Sequence, residues 1–259
     1  MNLNLTKRQR IIIATVIVTI GLLSTQLVDF NLRFRFLAAL MALSFFVSLW
    51  ALWEGITFFK SIILLILPSF YTLAVASFYF LLPIRWLTRL PVALLFGLTL
   101  YLLLLSQNVF NVAAVRTIPL YRAASTASFL FTLIAAFFLL NVIRAFNLPF
   151  YWNALLVTGM SFPLIWQTLW QVEMKEKIDL HLIFFSLILS IGMGELALSL
   201  SFLPLMPVVW SLGLASSMYV LTGLSSHFLQ QRLNKRVVGE YVSIGAVVFL
   251  VVIATSWIV

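Results

Sequence analysis

The 259-residue chain has no cysteine, two histidines and seven acidic residues. The missing cysteine excludes disulfides, thiolate metal ligands and cysteine nucleophiles. With two histidines and so few acids, no converging metal site is expected, and no cofactor. A soluble domain is missing too. The longest polar insert, "VEMKEKIDLH" over 172–181, mixes both charge signs and reads as a solvated loop. A nucleic-acid reader needs a larger extramembrane segment, so the net charge of +9 does not point to a nucleic-acid partner.

Catalytic signatures are equally sparse. "TGLSSH" (222–227) puts serine and histidine on one segment, where a serine–histidine dyad in a membrane would draw on two helices. "GMGE" (192–195) has no strand before it, so it is not a phosphate loop. Paired intramembrane aspartates and acidic motifs for Mg²⁺-diphosphate chemistry are absent. The balance is against an enzyme.

What fills the chain instead is apolar. Apolar residues make up 63% and charged residues 9%, and the mean hydropathy is +1.14. Soluble domains carry far more charge, so most of this chain must be solvated by lipid. Apolar stretches recur at about the 18 residues or more that a helix needs to cross a bilayer. Runs such as "IIIATVIVTIGLL" (11–23) do not alternate, which excludes a transmembrane barrel. The expected fold class is an all-α, polytopic transmembrane helical bundle, one integral membrane domain over 1–259 with short loops.

Charge, proline and asparagine divide the chain into nine expected spans: 11–28, 36–53, 61–83, 91–110, 123–146, 152–171, 180–202, 204–228 and 239–259. The weakest joint is "FLPLMP" (202–207), where Pro204 and Pro207 favour a tight reversal. An eight-span alternative would make one stretch re-entrant. Lys7, Arg8 and Arg10 before an apolar run resemble a signal peptide, but no clean small-x-small site follows, so a retained first helix is expected.

Positive charge sets the expected orientation. With the N-terminus in the cytoplasm, the inner segments hold eleven Lys and Arg and the outer segments five. This fits a bacterial inner-membrane protein with anionic lipid headgroups at its basic loops. Homo- or hetero-oligomerisation is left open.

Glu195, in "SIGMGELALSL" (190–200), is a carboxylate at membrane depth, which is costly unless neutral, paired or hydrated. Gly192 and Ser199 share its helical face, and that small, polar stripe predicts that Glu195 faces a neighbouring helix or cavity. Arg144, near the outer end of the fifth span, is the expected counter-charge.

A second cluster comprises Gln107, Asn108, Asn111, Arg116 and Arg122. Amides at a helix end can bind backbone, and paired arginines can hold a phosphate or headgroup. Whether 111–122 forms a loop or re-enters is open. Asn153, Ser161 and Gln167 lie around Pro163 in the sixth span, where a kink would line a cavity. Ala124, Ser128, Thr132 and Ala136 recur every four residues, Gly213, Ser216, Ser217 and Gly223 form a similar small-residue series in the eighth span, and both series predict packing seams.

Two readings follow. One is a permease-like protein with a cavity for a small or lipid-like solute near Glu195. The other is a non-catalytic scaffold or partner subunit in which Glu195 is structural.

Overall fold

Hydrocarbon offers the backbone no hydrogen-bond partner, so a long apolar segment satisfies its peptide groups by becoming a helix. The computed structural model describes residues 5–25, 32–81, 86–113, 120–175 and 177–257. Among the described residues the elements are α1 (Lys7–Ser24), α2 (Arg33–Leu52), α3 (Phe58–Tyr79), α4 (Trp86–Ala113), α5 (Tyr121–Ala145), α6 (Phe150–Glu173), α7 (Leu180–Ser201), α8 (Pro207–Leu229) and α9 (Lys235–Ser256), with no strand. Each helix overlaps one expected span. Seven of them, all but α1 and α6, are long and apolar enough to cross a membrane. The protein is a membrane-embedded helical bundle.

Local chemistry sets the helix ends. Thr6 and Gln9 form a reciprocal capping box at the start of α1. Asp179 accepts from the His181 N–H at α7, and Asn234 accepts from the Val237 N–H at α9. "FLPLMP" separates α7 from α8. Pro207 opens α8 where its missing N–H leaves no bond unmade. In the α6–α7 connection, Lys175 Nζ bonds Asp179 at 2.5 Å and pairs with Glu173 at 3.0 Å. The bond from Lys175 holds the Asp179 carboxyl below its ordinary range. The cap it supplies to α7 therefore persists above the ordinary carboxylate pKa and is lost as pH falls through the lowered one.

The chain divides into two compact units, residues 1–131 and 132–259, with the division inside α5. In the first, α1 packs on α2, α2 on α3, α3 on α4, and α4 back on α1, a closed ring of four helices. The most buried of them, α3, carries Pro68 in its interior. The Ser44 hydroxyl from α2 and the Thr72 hydroxyl both donate to the Pro68 carbonyl, at 3.3 and 2.8 Å.

In the second unit, α6, α7 and α8 pack on one another, and α9 packs on α8. The most extensive contact joins α6 and α7. Its seam is Ser186, Ser190 and Gly194, spaced four apart and continued by Ala197, all buried. Lipid tails drive no hydrophobic association, so small residues that let backbones approach do this work. At Gly194 a Cβ would stand 2.0 Å from Thr158 Oγ1 and 3.0 Å from the Ala154 carbonyl oxygen. On α8, a Cβ at Gly223 would strike the Tyr241 ring at 2.1 Å. The expected seam on α5 is buried as well, at Ala124, Ser128, Thr132 and Ala136.

Gly194 and Gly192 should therefore respond oppositely to added side chains. Gly194→Val should cost about 1–3 kcal/mol by overpacking against a backbone carbonyl. A Cβ at Gly192 would meet nothing within 4 Å, so Gly192→Ala should be neutral or stabilise by up to about 1 kcal/mol through helix propensity. Unfolding in detergent measures both, and equal losses would contradict this seam.

Candidate functional site

Helix α7 carries small residues on two faces, and only one meets a neighbour. The seam through Gly194 packs on α6. One residue on, about 100° around the helix, Glu195 lies on the exposed face with Ser199, in line with Phe184, Ile188 and Ile191. This corrects the expectation that the Gly192–Glu195–Ser199 stripe faces inward. Both stripes carry small residues, but α6 takes the one with four-residue spacing of Ser186, Ser190 and Gly194, and the other runs on into Ile191, Ile188 and Phe184. Glu195 stands six residues from the end of α7, roughly 9 Å inward at 1.5 Å per residue. The Ser199 hydroxyl donates to the Glu195 backbone carbonyl at 2.9 Å, so it leaves the carboxylate alone.

Among the described residues no ion pair joins Arg144 to Glu195; the pairs there are Arg10–Glu54, Lys175 with Glu173 and Asp179, and Arg236–Glu240. Arg144 lies in the last turn of α5, where a cation complements the helix dipole. Its guanidinium stands over the fully buried Trp210 ring, 5.9 Å from the centroid. Packing on an aromatic face gives a partly buried arginine an attractive partner without a carboxylate. One turn back, the Asn141 amide donates to Ser211 Oγ at 3.3 Å, a second tie between α5 and α8.

Asn153, Ser161 and Gln167 are all buried on α6, which runs unbroken through Pro163. The Asn153 amide donates to the Leu148 carbonyl at 3.2 Å and to Ser201 Oγ at 3.3 Å. It fixes the start of α6 to the end of α7.

The second expected cluster is divided. Arg116 lies outside the described residues, and Arg122 is exposed in the first turn of α5. Gln107 and Asn111 are buried, and Gln107 donates to Ser128 Oγ at 3.3 Å. The Asn111 amide donates to the carbonyls of Leu52 at 3.3 Å and Glu54 at 3.1 Å, acceptors left open where α2 ends. Both contacts are carbonyls, so the amide orientation is fixed by chemistry. Lys60 Nζ donates to the Asn111 backbone carbonyl at 2.8 Å. Lys7 Nζ reaches the Glu54 carbonyl at 3.3 Å, and Arg10 pairs with the Glu54 carboxylate. The arrangement ties together the ends of α1, α2, α3 and α4. Asn108 Oδ1, on the same stretch of α4, is buried with no hydrogen-bond partner among the described residues.

Lys60, Glu54 and Arg10 were missed as site residues by sequence reasoning. Lys60 did carry a signal. It is the third residue of α3, and a cation opposes the dipole at a helix N-terminus. Its ammonium instead sits at the C-terminal end of α4, where that dipole favours it.

A model of a protein family, described as "Protein of unknown function (DUF5656)", matches residues 36–255. The chain belongs to the DUF5656 family. No curated protein and no solved structure matches it. The matched region of this DUF5656 protein starts inside α2 and includes Glu195, Lys60 and Asn111, while α1 lies before it.

Two measurements check this geometry. In a double-mutant cycle, Glu195→Gln and Arg144→Gln should add within about 0.5 kcal/mol, as separate sites do. Lys60→Met should cost about 1–3 kcal/mol by leaving the buried Asn111 carbonyl short of its donor, with unfolding in detergent as the readout.

Proposed function

We propose that this DUF5656 protein is a non-catalytic membrane scaffold or partner subunit, and that the exposed face of α7 around Glu195 receives a further transmembrane helix. The observation that carries this is the exposure of Glu195 inside an apolar helix. A carboxylate facing lipid costs roughly 2.5 kcal/mol or more. A docked helix with a hydroxyl, amide or cationic group would remove that cost. Gly192 adds a shallow spot with nothing within 4 Å of its missing Cβ, room for a close backbone approach. A permease-like role would need Glu195 to line a solute cavity, and its outward position favours docking instead.

The cytoplasmic assignment of the N-terminus gains support from Lys7, Arg10 and Lys60, which gather at one end of the first unit. A bacterial inner membrane remains the compartment we propose.

A photoactivatable residue at position 195, compared with one at exposed Leu94, tests the reading in intact membranes. Position 195 should give a discrete polypeptide adduct, at twice the monomer mass for a second copy or at another fixed mass for a different subunit. Adducts to lipid alone from both positions would defeat the proposal.

A further inference from the structure

Between α1 and α4 runs an open groove of about 560 Å³, inside the size range of small-ligand sites. Its walls are apolar: Ile12, Val16 and Ile20 from α1 face Leu94 and Leu98 from α4. Two threonines on the α1 side do not make it polar. Thr15 and Thr19 donate to their own helix, to the carbonyls of Ile11 and Thr15 at 2.9 and 2.8 Å. Gly97 forms part of the floor, where a Cβ would come within 3.1 Å of Thr19 Oγ1. From Ile12 to Ile20 the groove follows α1 for roughly 12 Å at 1.5 Å per residue.

Charge is placed at one end. Tyr101 lines the groove, and its hydroxyl accepts from Arg8 Nε at 3.3 Å. The three cations of the first turn of α1 are not equivalent. Lys7 is engaged with the Glu54 carbonyl and Arg10 with the Glu54 carboxylate. Arg8 is exposed, and no carboxylate among the described residues lies against it. With Nε held by Tyr101, its two terminal nitrogens form a planar fork at the Tyr101 end of the groove. A fork of this kind matches a phosphate.

We propose that this groove binds one anionic phospholipid, with an acyl chain along α1 and α4 and the phosphate on Arg8. Tyr101 acts as a positioning residue that aims the guanidinium. The site lies in the first unit and draws nothing from Glu195, so it stands or falls independently of the docking role proposed for α7.

Native mass spectrometry of the full chain in detergent, titrated with dioleoyl phosphatidylglycerol or dioleoyl phosphatidylcholine, tests it. The wild type should retain a single phosphatidylglycerol about fivefold better than phosphatidylcholine, the margin of one favourable basic contact at a membrane surface. Arg8→Gln should bring the two lipids level while an adduct survives, because the groove is intact. Leu98→Trp should lose both adducts by filling the groove, and Leu94→Trp should do the same. Both leucines are exposed, at 58% and 73%, so the bundle tolerates the larger side chain. Equal retention of the two lipids by the wild type, selectivity that survives Arg8→Gln, or adducts that survive both tryptophans would each overturn the proposal.

Discussion

Hydrocarbon forms no hydrogen bonds, and the rest of this structure follows from that constraint. Each long apolar segment closes its backbone bonds within itself as a helix. The same pressure acts on side chains. Hydroxyls along the helices turn back to carbonyls three or four residues earlier, as at Thr15, Ser69, Ser186 and Thr222. Helix ends, which cannot satisfy themselves, are met by side chains from neighbours. Asn111 serves the end of α2, and Lys60 serves the end of α4.

Because lipid supplies no hydrophobic force between helices, packing rests on shape and a few polar ties. The α6–α7 pair is the clearest case. Gly194 admits Thr158 so closely that any side chain must displace it. The α8–α9 pair repeats the device at Gly223, against Tyr241. Polar ties then fix register, as with Asn141 on Ser211 and Asn153 on Ser201. The ionisable groups Lys60 and Glu195 are handled in opposite ways. Lys60 is buried and bonded to a helix end, whereas Glu195 is turned outward. A group turned outward is a feature of the surface, as Lys60 is of the interior.

Much of the fold is legible in the sequence. Nine apolar runs correspond one to one with α1–α9, because run length and polar interruptions carry that information directly. The proline-marked break at 202–206 is legible too. The site is harder to read. Asn111 can be singled out as an amide at a helix end, but its partners, Lys60 and the carbonyls of Leu52 and Glu54, lie more than fifty residues away along the chain. Arg144 and Glu195 have opposite charge and each lies in the second half of its helix, yet position along a helix says nothing about azimuth. Arg144 packs on the face of Trp210 instead.

The sequence by itself determined a membrane-embedded all-helical protein, the approximate place of each described helix, and the scarcity of intramembrane charge. Those are one-dimensional properties, set by how many apolar residues follow one another. Only the tertiary structure decided which face of each helix meets a neighbour. In "SIGMGELALSL" two small-residue stripes lie about 100° apart, and either could have been the seam. Thr158 and Ala154 on α6 fit the stripe through Gly194. That choice left Glu195 outside, because a helix packed along one stripe must present the other to its surroundings.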